Sequence, residues 1–118
     1  MSRHPRRVPD WVRDIRDAIE YIRTDLGDLD RHAFEMDGKT LRAVTKSIAD
    51  IGEAANQIML AMPHVQAESP AIWQHLKRVY AMRNVLLHGY FRTDAGVVWD
   101  TVQLHLPELD RLLNRLDE

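Results

Sequence analysis

Apolar residues recur at steps of three and four over most of the chain, the spacing that gathers them on one face of an α-helix. In the first segment Trp11, Ile15, Ala18, Ile19, Ile22 and Leu26 make such a stripe, and Gly27 stops it. Between Asp28 and Asp37 the apolar residues Leu29, Phe34 and Met36 stand among charges, a pattern that fits either a short helical turn or a packed connection. The second segment follows Asp37-Gly38. Leu41, Val44, Ile48, Ile51, Ala55, Ile58 and Met62 hold the alternation for about three heptads before Pro63. The third opens on Ser69-Pro70, a capping residue ahead of a proline suited to the first turn, and carries Ile72, Trp73, Leu76, Val79, Tyr80, Leu86 and Leu87 to Gly89. The fourth starts near Thr93-Asp94 and runs through Val98, Val102, Leu106, Leu109, Leu112, Leu113 and Leu116; Pro107 within it predicts a kink or a division. No segment alternates with the period of two expected of a half-buried strand. Four helical segments with short loops predict an all-α fold, an up-and-down antiparallel helical bundle.

A chain of 118 residues supports one modest core. The expected organisation is a basic N-terminal tail over residues 1–8 and a helical-bundle domain over residues 9–118. Arg3, Arg6 and Arg7 in the tail offer a contact to RNA phosphate, against the plainer reading of a disordered tail. Hydrophobic residues make up 45% and charged ones 29%, which places the chain among folded proteins. There is no cysteine, so disulfides and thiolate metal sites are excluded and a reducing compartment fits. Behind the basic start the sequence turns amphipathic at Trp11-Val12-Arg13-Asp14, with neither a signal-like nor a membrane-length apolar run. A cytoplasmic location is expected. Basic residues number 16 against 18 acidic ones, so any nucleic-acid site has to be local.

The catalytic menu is short. Thiol enzymes, P-loop nucleotide hydrolases and His-Glu-x-x-His zinc peptidases all lack their motifs here. What remains is Met82-Arg83-Asn84-Val85-Leu86-Leu87-His88-Gly89-Tyr90-Phe91, which crowds a guanidinium, an amide, an imidazole and a phenol into one helix end. Arg83 offers paired donors to a phosphate that gains charge in a transition state, and His88 an imidazole that exchanges a proton near neutrality. On a straight helix the two lie about 140° apart around the axis and about 7.5 Å apart along it, so one helix alone converges them poorly. A second copy of the strip across a two-fold axis, or an unwound helix end at Gly89, would complete the site. The plainer alternative is structural: these residues cap carbonyls and pair with Glu53 or another acid.

With these residues in view the sequence resembles the HEPN superfamily, and within it the HepT-like toxins of two-gene HEPN–MNT modules. The resemblance rests on Ile51-Gly52-Glu53-Ala54-Ala55, on Met82-Arg83-Asn84 followed by His88-Gly89-Tyr90-Phe91, and on Val98-Trp99 then Leu106-Pro107-Glu108-Leu109. It implies a HEPN-like, homodimeric bundle in which the Arg-x4-His strips of both protomers line one cleft. It also implies metal-independent cleavage of RNA to a 2′,3′-cyclic phosphate, without a cofactor. Arg83 and His88 match the family's catalytic pair, Asn84 the polar residue beside the arginine, and Tyr90 the tyrosine to which a nucleotidyltransferase-fold (MNT) antitoxin adds AMP.

Other candidates read more plainly. Glu53, with Asn56 and Gln57, either faces the cleft and orients Arg83 or forms a buried pair that holds two helices together. Gly52 beside Ala54 and Ala55 is read as close helix packing. His64, His75 and His105 are dispersed without ligand spacing, so no metal site is expected and solvated or capping roles are. Trp11, Trp73 and Trp99 sit at core positions. The second function class is a non-catalytic helical dimer that binds RNA, a nucleotide or a partner protein.

Overall fold

In the computed structural model, which describes residues 5–88 and 94–116, the first apolar stripe becomes helix α1 (Val8–Leu26). Pro9 lies in its first turn, and the Asp10 carboxylate accepts the Arg7 N–H at 2.9 Å. Val12, Ile15, Ala18, Ile19, Ile22 and Leu26 are all buried. Gly27 ends the helix at φ 52°, a backbone region that disfavours side chains, and its N–H reaches the Arg23 carbonyl at 3.0 Å.

The ambiguous stretch after Gly27 resolves into a short helix, α2 (Arg31–Glu35), started by the Asp30 carboxylate accepting the Ala33 N–H at 2.8 Å. It exists to carry Phe34, which is fully buried with its ring 5.6 Å from that of Trp99. Helix α3 (Gly38–Ala61) begins with the same device, Asp37 accepting the Thr40 N–H at 3.0 Å. That bond holds the Asp37 carboxyl below its usual range. Helix α3 is the centre of the bundle, packed on α1 at one side and on α5 (Pro70–Leu87) at the other. Its buried set is correspondingly wide and includes Ser47, Gly52 and Ala54 as well as the isoleucines.

Between them lies a four-residue helix, α4 (Val65–Glu68), which the apolar pattern does not announce; it buries Val65. At the start of α5 the expected side-chain cap by Ser69 is not formed. Pro70 occupies the first turn, where a missing N–H costs nothing, and the Ser69 carbonyl accepts the Trp73 N–H at 3.1 Å.

The fourth apolar segment is divided, as Pro107 predicts. Helix α6 (Ala95–Asp100) is capped by Asp94, which accepts the Gly96 N–H at 2.7 Å. A π-helical turn over Thr101–His105 follows, then α7 (Leu106–Leu113) with Pro107 in its first turn, then a 3₁₀ turn over Asn114–Leu116. Proline cannot donate to the carbonyl four residues earlier and its ring crowds that carbonyl. The wider turn removes the conflict: the Leu106 N–H bonds to Thr101, five residues back. The inward-facing set also changes from that expected, because Thr101 is buried while Val102 is only partly so. Helix α7 closes the bundle against α5 and α1.

The architecture is the all-α helical bundle expected from the sequence, with no strand among the described residues. No described helix is long and apolar enough to cross a membrane. Because Phe34 joins α2 to α6 through Trp99, Phe34→Ala is expected to cost about 3–5 kcal/mol in urea unfolding, as for a large buried aromatic. A loss below about 1 kcal/mol would show that α2 is not part of the core.

Candidate functional site

The site begins with a packing constraint. A Cβ placed on Gly52 of α3 would lie 2.4 Å from the Arg83 Cβ and 2.8 Å from the Val79 carbonyl oxygen of α5. Only glycine lets the two helices come this close, which is the packing role expected of Gly52. The approach lays the Arg83 stem against α3 and brings its head to the next α3 residue. Arg83 Nη2 lies 3.0 Å from Glu53 Oε2, and Arg83 Nη1 donates to Asn84 Oδ1 at 3.0 Å. Gln57, one turn on, donates from Nε2 to Glu53 Oε1 at 3.2 Å. The guanidinium also stands 5.8 Å from the centre of the Tyr80 ring.

Arg83 is thus fixed on two sides yet still open, since its side chain is 25% exposed and that of Glu53 48%. An ion pair this exposed contributes little to stability; its effect is to hold the guanidinium in one orientation. The remaining N–H groups are left for an anion. His88 stands at the C-terminal cap of α5, exposed, its backbone N–H on the Asn84 carbonyl at 3.2 Å. Tyr90 and Gly89 lie outside the described residues.

Charge around Arg83 is lopsided. Between α1 and α3 runs an open groove of about 770 Å³ whose walls carry Asp14, Asp17, Asp50 and Glu53, together with Trp11 and Tyr21. Arg6 of the N-terminal segment pairs with Asp14 there, and Lys46 with Asp50. By contrast, no Asp or Glu occurs between Ser69 and Thr93, whereas Lys77, Arg78 and Arg83 do. A polyanion therefore meets repulsion from the α1–α3 side of Arg83 and attraction from the α5 side.

The family model for HepT-like ribonucleases matches residues 15–116, a span that includes every helix just described from the middle of α1 onward. The chain belongs to the HepT-like ribonuclease family. It is 34% identical over 107 residues to a protein of Thermococcus cleftensis named "Probable ribonuclease HepT", covering 91% of this chain and 93% of that one. A relative named as an RNase in Caldanaerobacter subterraneus subsp. tengcongensis is 24% identical, with 90% of each chain covered. Another, in Methanocaldococcus jannaschii, is 25% identical over 94% of this chain and 91% of its own length. No solved structure matches the chain.

In this HepT-like bundle the residues singled out from the sequence fall into two groups. Arg83, Asn84 and Glu53 are brought together through their side chains, whereas His88, at the end of the same helix, meets Asn84 only through its backbone N–H. Gln57, grouped with Glu53 from the sequence, does bond to it, and one further residue that carries no motif belongs to the surroundings of Arg83: Tyr80, three positions before it. Helical spacing alone connects Tyr80 to the site. The histidines also differ from expectation. His64 is exposed, but His75 and His105 are neighbours, their ring centres 6.5 Å apart, with Arg78 Nη1 2.7 Å from His105 Nδ1.

Gly52→Ala separates packing from helix propensity. Propensity alone would make the variant about 1 kcal/mol more stable; the clash with Arg83 and Val79 is expected to make it about 1–3 kcal/mol less stable in urea unfolding. A stabilised variant would mean that α3 and α5 do not meet at this position.

Proposed function

We propose that this HepT-like chain is the toxin ribonuclease of a toxin–antitoxin pair, cutting RNA with Arg83, Asn84 and His88 without a metal ion. The observation that carries the reading is the oriented, still accessible guanidinium of Arg83, held by Glu53 and Asn84 on the helix that ends at His88. The relatives' names point to the same substrate class. In the proposed step the ribose 2′-oxygen attacks the adjacent phosphorus. His88 takes the hydroxyl proton, the new O–P bond closes a 2′,3′-cyclic phosphate, and the 5′-oxygen leaves and is protonated. Arg83, with Asn84 beside it, donates to the phosphorane oxygens as their charge grows. DNA lacks the nucleophile. Glu53 acts as a positioning residue, since it touches the guanidinium and not the substrate.

His88 follows Arg83 by five helical positions, so the two heads leave α5 about 140° apart. The reading therefore includes a homodimer in which Arg83 of one protomer works with His88 of its partner. Cleavage of a single-stranded RNA in EDTA, with 2′,3′-cyclic phosphate ends, is the expected activity. Arg83→Ala and His88→Ala should each lower it by at least about a hundredfold while leaving the fold intact. Mixing the two inactive variants and allowing subunits to exchange should restore part of the activity. Full activity in either variant, or a requirement for a divalent ion, would overturn the catalytic assignment in favour of a chain that binds RNA without cutting it.

Control is assigned to a nucleotidyltransferase-fold antitoxin that transfers AMP from ATP to Tyr90. The phenol oxygen attacks the α-phosphorus, a phosphodiester forms, and pyrophosphate leaves. A negatively charged nucleotide two residues beyond His88 would compete with RNA for the Arg83 donors. Intact-mass spectrometry after incubation with the partner, ATP and Mg²⁺ is expected to show one or more AMP additions on the wild type and none on Tyr90→Phe. Neutralisation that survives Tyr90→Phe would replace this mechanism with blockage by binding.

A further inference from the structure

The face of α5 that meets the last helical segment carries a second polar cluster that the proposed cleavage step does not use. His75 and Arg78 on α5 meet His105 at the end of the π-helical turn. The imidazole centres are 6.5 Å apart, and Arg78 Nη1 is 2.7 Å from His105 Nδ1. Arginine only donates, so this nitrogen of His105 accepts and the ring is neutral. Among the described residues no carboxylate lies within ion-pair distance of Arg78, which leaves most of its donors unspent. Beside the cluster opens a groove of about 300 Å³, floored by Val79, Met82, Leu106 and Leu109 and rimmed by the exposed Val85 and Val97. The volume is at the small end of ligand sites. It suits one flat heterocycle next to one anionic group.

The cluster is also in line with His88. Residues 78, 81, 85 and 88 step by three, four and three and form one outward stripe of α5, of which Ala81, Val85 and His88 are exposed. Ten residues of helix put Arg78 about 15 Å from His88 along the axis. That distance is about four nucleotides at a stacked rise of about 3.4 Å, and fewer for an extended strand.

We propose that Arg78, His75 and His105, with the apolar groove beside them, form a second phosphodiester-binding subsite for single-stranded RNA, a few nucleotides from the cleaved bond. This rests on the ribonuclease reading and adds to it a requirement for substrate length. The donors grip a phosphate and the groove takes the adjoining base without reading its edges. A protein partner with a carboxylate of its own is the competing occupant. Continuity with His88 and the acid-free surface of α5 favour RNA.

The imidazoles give the subsite a signature. Burial, and then the charge of Arg78, push His75 and His105 below the usual histidine range, against weak opposition from Glu108 on His75 and Asp100 on His105. Both shifts favour the uncharged rings. A phosphate bound among them raises both, so binding takes up protons and tightens as pH falls from about 8 to about 6.

The test is fluorescence anisotropy with fully 2′-O-methylated oligonucleotides, which lack the nucleophile, at two, four and six nucleotides. Wild-type affinity is expected to rise with length, and the gain to grow at lower pH. Arg78→Gln should remove about tenfold of the affinity for the six-mer and leave the two-mer unchanged. It should also reduce the salt dependence of six-mer binding by about one phosphate contact. His105→Gln should abolish the pH effect. If the wild type cuts a dinucleotide but Arg78→Gln binds the six-mer as tightly as the wild type does, the subsite is wrong and the ribonuclease reading stands. If Arg78→Gln leaves RNA affinity unchanged and alters the oligomeric state or capture by the antitoxin, the groove belongs to a protein partner. If the wild type neither binds nor cuts RNA of any length, both readings fall together.

Discussion

Everything around the candidate site depends on how closely α3 and α5 approach at Gly52. Without a Cβ there, the Arg83 stem and the Val79 backbone sink onto the central helix, and the guanidinium emerges level with Glu53. Helix packing and electrostatics are therefore one constraint. A wider separation would leave an unsupported cation on a flexible stem, whereas the observed one fixes it through Glu53 and Asn84 at little cost in exposure. The apolar residues on either side, Ile48, Ile51 and Ile58 of α3 with Ile72, Leu76 and Val79 of α5, provide the burial that holds the approach closed.

The formal net charge of −2 conceals a division of labour. Carboxylates collect between α1 and α3, while the stretch from Ser69 to Thr93 has none. A polyanion is repelled at one side of Arg83 and attracted at the other, so of the surfaces around Arg83 it is α5 whose charge suits one. Over distances of a few ångströms this asymmetry survives physiological salt, which screens charges beyond about 8 Å.

Much of the fold was legible because its punctuation is local. Gly27, the Asp37 cap and Pro70 mark helix boundaries through their own backbone chemistry, and the three-four stripes of α1 and α3 pick out most of the residues those helices bury, although Trp11, Leu41 and Met62 are only partly covered. Phe34 lay in an ambiguous stretch because five helical residues give too short a period to read; burial against Trp99 settles its state. Ser69 misleads because a capping residue type is not a capping geometry. At the site, the motif singles out Arg83, Asn84 and His88, and the pairing with Glu53 is one of the two roles open to that residue from its position in α3. The meeting of His75 and His105 had no signal. Thirty residues separate them, and their contact depends on the phase of the π-helical turn, which Val102, apolar at a regular α-helical step, disguises.

That turn works as a one-residue insertion in a helix. The inward positions Thr101 and Leu106 are five apart, a step that would rotate them about 140° from each other in a regular α-helix and that the wider turn brings back into phase. The two halves of the last segment are thus clocked independently. Upstream, Val98 keeps its place in the core and Trp99 its contact with Phe34; downstream, Leu109 and Leu113 keep theirs. A family member lacking the extra residue could remain a sound bundle only by giving up one of these registrations. The groove beside Arg78 would be remodelled while the Gly52 crossing stayed as it is, so the surroundings of Arg78 and those of Arg83 can change independently of each other.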